Sequence, residues 1–280
     1  MPRFPAMFIG HGSPMNAIER NSFSEKWRSI GEALPHRAFP AEKASREPAN
    51  PGSHVLRAVV CISAHWLTRG TQITSNTKPK TIHDFGGFPQ ALYQIEYPAP
   101  GSPEIAHEIK TALAKHTPVT LSEDWGLDHG TWSILRHIQP AADVPVLQLS
   151  IDATASGETF FRIGEQLKPL RERGILFIGS GNIVHNLHLV DWNRLSEIGY
   201  AHDWAREADT LVQKLIRERD YAKLIQWTAL GKSMELAVNS AEHYVPLLYI
   251  LGLSHAHEKP EFFNTEAVGG ALTMTSVRFG

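Results

Sequence analysis

Five histidines stand where an imidazole could do chemistry. His11 follows the apolar run 6–9 and Gly10, and is followed at once by Gly12 and Pro14. His65 follows the apolar run 58–64, and His185 follows the run 175–178 across Gly179-Ser180-Gly181-Asn182. Each pattern reads as a buried strand that breaks and delivers an imidazole near its carboxyl end. His243 comes three residues before Pro246, a residue suited to the first turn of a helix. Neutral imidazoles gathered in one place are first of all metal ligands, which makes His11, His65, His185 and His243 the ligand candidates. Taken singly, each could equally be a core histidine bonded to backbone. The recurrence of strand followed by histidine argues for one shared site on a sheet rim, where open α/β folds bind ligands.

His129 lies between Asp128 and Gly130 and is a candidate general acid/base that the adjacent carboxylate could orient. It could also be a turn residue paired with Asp128. Glu242 adjoins His243, and iron(II) centres commonly combine two histidines with a carboxylate. Neighbouring side chains point different ways, so one of this pair is expected to reach a metal.

The elements that must position these groups alternate along the chain. Residues 22–34 have the spacing of an amphipathic helix, with Phe23, Trp27, Ile30 and Leu34 on one side. Residues 71–75 could form a hairpin partner for the His65 strand. A helix is expected from Pro103 to about Lys115, a buried strand over 144–151, and helices over 156–173 and 200–219. Residues 272–277 read as a closing strand. This alternation predicts one α/β domain over 1–280 in three layers, α/β/α, around a mostly parallel or mixed sheet. The Pro-rich stretch 35–54 reads as a surface loop.

Other chemistries are excluded by spacing. Val184 stands where a dinucleotide fingerprint would need its third glycine. Neither Ser13 nor Ser180 has the flanking glycines of a nucleophile elbow. Asp84-Phe85-Gly86 spells a kinase triplet without the accompanying loops. Lys+Arg 27 against Asp+Glu 29 leaves a net charge of -2, which gives no reason to expect nucleic acid or an anionic membrane as partner. The one cysteine, Cys61, lies in an apolar run and reads as a buried, inert thiol. With no signal-like or membrane-length apolar stretch, a cytoplasmic protein is expected.

Together, Gly10-His11-Gly12-Ser13-Pro14-Met15, Ser63-Ala64-His65-Trp66, His83-Asp84-Phe85-Gly86-Gly87-Phe88-Pro89, Asp128-His129-Gly130, Ser180-Gly181-Asn182-Ile183-Val184-His185-Asn186 and Glu242-His243-Tyr244 resemble the class III extradiol catechol dioxygenases. The likeness is closest to their DOPA 4,5-dioxygenase branch, relative to which residues 35–54 look like an insertion. It implies a three-layer fold and one mononuclear divalent metal on His11, His65, His185 and His243. It also implies an acid/base role for His129 outside the ligand set. The wider class differs, using a glutamate as third ligand and often treating the histidine matching His185 as the base.

The resemblance further implies a small catechol and O2 as substrates. Iron(II) is expected for activity, because ring cleavage needs a redox-active metal, and zinc(II) is expected in purified protein because it binds imidazoles more tightly. His83, Phe85 and Phe88 on the glycine-hinged loop are the expected substrate contacts, unless that loop is ordinary surface. Two other readings stay open: zinc-dependent, hydrolase-like chemistry, and a non-catalytic metal-binding protein on the same fold.

Overall fold

A strand buried on both faces must be apolar throughout, and residues 59–62 show why. Val59 and Cys61 face one apolar cluster, Val60 and Ile62 the other, and all four are buried. The computed structural model describes residues 3–34 and 55–280. The expected insertion at 35–54 lies outside the described residues.

Eight strands form one mixed sheet. Strands β1 (Ala6–Gly10), β2 (Ala58–Thr68), β5 (Val146–Asp152) and β6 (Ile175–Gly181) make a parallel centre in the order β5-β2-β6-β1. Beyond β5 lie β3 (Thr71–Thr74), antiparallel to it, and β4 (Val119–Ser122). Beyond β1 lie β10 (Ser276–Phe279) and β7 (Pro260–Phe263), each antiparallel to its inner neighbour. A short hairpin, β8 (Ala267–Val268) and β9 (Leu272–Thr273), stands apart.

Helices α1 (Ser22–Ala33) and α4 (His129–Ile138) cover one face with Phe23, Trp27, Trp132 and Leu135. Helices α3 (Pro103–Leu113), α5 (Gly157–Leu167), α6 (Asp203–Glu218) and α9 (Val245–Leu253) cover the other. Among the described residues, three short helices complete the set: α2 (Gln90–Tyr93), α7 (Tyr221–Ile225) and α8 (Lys232–Ala237). This is the expected three-layer arrangement. Among the described residues no helix is long and apolar enough to cross a membrane.

Four local expectations are corrected. The 71–75 strand does not pair with β2, whose two edges are taken by β5 and β6; it pairs with β5 and β4. The 156–173 helix stops at Leu167 and continues as a 3-10 turn containing Pro169, which has no N–H to carry an α-helix onward. The 272–277 strand divides into β9 and β10. At the break, the Ser276 hydroxyl donates to the Met274 carbonyl and accepts from the Gly10 amide. Residues 125–132, which read as a turn carrying His129, instead lead into α4 at His129, a helix capped by the Asp128 carboxylate accepting from the Thr131 amide at 3.1 Å.

Candidate metal centre and active site

Because β1, β6 and β2 run parallel, their carboxyl ends share one edge of the sheet, and the histidines gather there. His11 is the first residue past β1, and its amide donates to the Gly181 carbonyl at 3.1 Å. His65 does not stand at the end of a strand, as expected, but within β2. There the register against β5 shifts between Ile62 and Leu67, an irregularity that re-aims the side chain toward the rim. His243 precedes α9, whose Pro246 sits in its first turn as expected. The His243 carbonyl accepts from the Asn182 amide at 2.9 Å, and a Cβ on Gly181 would lie only 2.0 Å from that carbonyl oxygen. Glycine at 181 is therefore what lets this segment close onto β6.

The ligand atoms of His11, His65 and His243 lie within 4.8 Å of one another. His11 and His243 are hydrogen-bonded at Nδ1, and His65 Nδ1 lies at ion-pair distance from a carboxylate. His11 Nδ1 meets the Ser180 hydroxyl at 2.9 Å, and that hydroxyl donates to the Gly130 carbonyl at 2.6 Å, so it accepts from His11. His65 Nδ1 lies 3.3 Å from Asp84 Oδ2, and His243 Nδ1 lies 3.2 Å from Glu242 Oε1. With the proton on Nδ1, each ring keeps its Nε2 lone pair free, the arrangement that outer partners impose on metal-binding histidines. The Nε2 atoms of His11 and His65 face each other at 3.2 Å. Two bonds of about 2.1 Å meeting near a right angle would put their nitrogens about 3 Å apart, so the pair fits one metal ion.

Electrostatics favour the neutral rings that a metal needs. Burial, then the neighbouring imidazoles, holds His11 and His243 well below the usual histidine value. His65 is lowered to about 3, by burial and then His129, with Asp84 partly opposing. His185 is lowered to about 4, again by burial, with Glu242 opposing. Burial acts to raise the Asp84 carboxyl, but hydrogen bonding and charge from His129 and His65 outweigh it and hold it low. Asp84 is therefore an ionised acceptor between imidazoles.

The other expected residues divide. His185 comes to the same place, but face to face with His243: ring centroids 3.5 Å apart, planes 5° from parallel. Its ligand atom groups with those of Glu242 and His243 rather than with the set containing His11 and His65. His129 heads α4, buried, its ring centroid 4.0 Å from that of His65. The carboxylate beside its ring is Asp84, at 3.0 Å from Nδ1, and not Asp128. Asp128 is spent on the Ser63 hydroxyl and the Gln148 amide.

Phe85 stands edge-on to His129 at 5.6 Å, and Phe88 backs Phe85 at 5.4 Å. The ring of His83 packs near Phe85 and Trp132, while its Nε2 is engaged by the Ile95 carbonyl at 2.9 Å. Sequence reasoning overlooked Asp84 and Ser180. Both lay inside stretches singled out for other reasons, and only the fold shows which imidazole each one meets. Cys61 is buried as expected, and burial pushes its thiol further up.

Imidazoles gathered on the rim of an α/β sheet, three of them close enough to hold one metal ion and a buried histidine beside them, make a candidate metal site. Residues 5–280 match the family described as the catalytic LigB subunit of aromatic ring-opening dioxygenase, and the chain belongs to that family. It is 40% identical to a 4,5-DOPA dioxygenase extradiol of Escherichia coli K12, over 99% of this chain and 95% of that protein. It is 32% identical to one of Beta vulgaris, over 97% and 95%. A crystal structure of an uncharacterized Escherichia coli K12 protein superposes with a TM-score of 0.80 at 34% identity, covering 99% of this chain and all of that one.

Proposed function

We propose that this protein is an iron(II)-dependent extradiol dioxygenase that opens a catechol ring beside its hydroxyl pair and places both atoms of O2 in the product. DOPA is one candidate substrate, in line with the names of the relatives. The observation that carries the reading is the convergence of His11, His65 and His243, whose ligand atoms lie within 4.8 Å of one another and whose Nδ1 atoms each stand beside a hydroxyl or a carboxylate.

In this reading those three residues hold the metal. Iron(II) bound there supplies a redox-active centre for joining O2 to the aromatic ring, which zinc(II) cannot do for lack of an accessible redox change. His129, buried beside His65, takes a phenolic proton as the catechol enters and returns one as the ring opens. His185, stacked on His243, is the second proton carrier. Phe85 offers an aromatic wall next to His129, with Phe88 behind it. His83 contributes its ring, since its Nε2 is already bonded. His11, His129 and His243 are almost closed to water, at 2%, 4% and 6% exposed, while His65 and His185 are part-buried, so three of the five imidazoles are shielded from bulk water. One domain, a cytoplasmic location and small-molecule substrates alone complete the proposal.

The test is oxygen uptake after anaerobic loading with iron(II), on DOPA and a panel of small catechols, with absorbance followed for a yellow ring-opened product. Uptake coupled to colour, and lost in His65→Ala, supports the reading. An iron-loaded protein that consumes no O2 with any catechol contradicts it and turns attention to zinc-dependent hydrolytic chemistry.

A further inference from the structure

Among the described residues, Asp84 is the carboxylate that stands within ion-pair distance of both a metal-site imidazole and the buried acid/base. Its Oδ2 lies 3.0 Å from His129 Nδ1 and 3.3 Å from His65 Nδ1, and its Oδ1 accepts from the His129 backbone amide at 2.9 Å. The side chain is mostly buried, and its loop is fastened at Ile82, two residues before it. The Ile82 amide donates to the Leu127 carbonyl at 2.7 Å, and Trp132 Nε1 donates to the Ile82 carbonyl at 2.9 Å. The next residue, Phe85, lies against His129.

We propose that Asp84 is a positioning residue that sets two imidazoles at once, fixing His65 for the metal and His129 for proton transfer. A carboxylate only accepts, and its charge at 3.0 and 3.3 Å favours an Nδ1–H on both rings, the contacts being ion-pair distances that reach hydrogen-bond geometry on a small turn of the rings. Both Nε2 atoms then carry lone pairs, one for the metal and one for the substrate proton. Among the described residues, no other carboxylate stands beside both rings. Ser180 and Glu242 each serve a single imidazole. The seating of the 82–89 loop is thereby read directly by the metal site: displacement of Asp84 releases both rings together.

The role given to His129 rests on the ring-cleavage reading, whereas the metal arm of the test does not. Zinc(II) and cobalt(II) affinities are measured by competition with a chromophoric chelator on wild type, Asp84→Asn, Asp84→Ser, His129→Ala and Asp84→Asn/His129→Ala. Oxygen uptake with catechol at saturating iron(II) is measured on the same set. The Asn side chain can present an N–H2 to the imidazoles and reverse their tautomers; Ser is smaller and removes the carboxylate without crowding.

Both Asp84 variants are expected to bind metal about 10- to 100-fold more weakly, whether or not His129 is present. His129→Ala keeps wild-type metal affinity within about twofold. At saturating iron(II), Asp84→Asn lowers kcat about 10-fold or more, with little change in KM, and adds almost nothing to the loss already caused by His129→Ala. Wild-type metal affinity in both Asp84 variants overturns the proposal, as does a kcat loss from Asp84→Asn that persists in full on the His129→Ala background. If wild type shows no oxygen uptake with any catechol, the function is wrong, and the metal affinities still decide the coupling of Asp84 to His65.

Discussion

The imidazoles of His185 and His243 lie flat against each other, centroids 3.5 Å apart and planes 5° from parallel. A metal binds an imidazole along the nitrogen lone pair, in the plane of the ring. Two nearly parallel planes separated by a van der Waals contact do not both contain one ion without a turn of one ring, although the ligand atoms of His185, Glu242 and His243 lie within 4.8 Å of one another. We therefore propose His243, which also faces His11 and His65, as the metal ligand of the pair, and His185, expected from the sequence as a fourth ligand, as a proton carrier. His243→Ala is predicted to weaken zinc(II) or cobalt(II) binding by at least about 100-fold, while His185→Ala leaves it within a few-fold and lowers kcat instead. Equal losses of metal affinity in the two variants contradict this division.

The hydroxyl of Ser180 fixes the tautomer of His11, because it donates to the Gly130 carbonyl and can only accept from Nδ1. Ser180→Ala removes that acceptor with almost no change in volume. Metal affinity is predicted to fall about 10- to 100-fold with the thermal midpoint of the metal-free protein little changed. Undiminished affinity in a chelator competition contradicts it.

Gly181 has no room for a side chain, since a Cβ would stand 2.0 Å from the His243 carbonyl oxygen. Gly181→Ala must push residue 243 off β6. The expected cost is about 1–3 kcal/mol in urea unfolding, typical of overpacking. Weaker metal binding should accompany it, because the displaced residue carries a ligand. A variant with wild-type stability and affinity shows that the contact does not constrain His243.

Asp209, on the inner face of α6, is buried, and Gln213 donates to its Oδ2 at 2.7 Å. Burial raises its carboxyl above the ordinary 3.8, with hydrogen bonds from Thr275, Gln213 and Thr273 opposing. The folded protein thus holds this proton more tightly than the unfolded chain. The associated stability is complete below the unfolded value and is lost as pH rises through the folded one. Asp209→Asn, always neutral, is predicted to gain on wild type as pH rises, by about 1.4 kcal/mol for each unit of the raised value. Urea midpoints of the two proteins from about pH 4 to about pH 8 check this; a difference that does not change with pH contradicts it.

The site was legible in the sequence wherever one strand and one break decide the outcome. His11 past β1 and His243 before α9 follow from Gly10 and Pro246, local signals that survive folding. The layers were legible for the same reason: the runs at 58–62 and 175–178 are too apolar to lie anywhere but in a covered sheet. What stayed hidden depends on partners distant in sequence. The shift in β2 that aims His65 arises against β5, more than eighty residues on, and no pattern inside 58–68 announces it. Asp128, adjacent to His129, was the obvious carboxylate partner, yet its neighbours Ser63 and Gln148 consume it, and Asp84 arrives from another loop. The stack of His185 on His243 comes from two loops meeting over β6, which spacing cannot foretell. Helix α4 was missed because its turn-like opening, Asp128-His129-Gly130, masks the apolar stripe of Trp132, Leu135 and Ile138.

The central claim is where the ring breaks, and the direct measurement is the structure of the product. Iron(II)-loaded protein mixed anaerobically with a catechol, then given O2, should yield a product whose NMR spectrum shows a ring opened beside the hydroxyl pair, carrying one aldehyde and one carboxylate. A dicarboxylate from cleavage between the hydroxyls, or an intact quinone, would contradict the account.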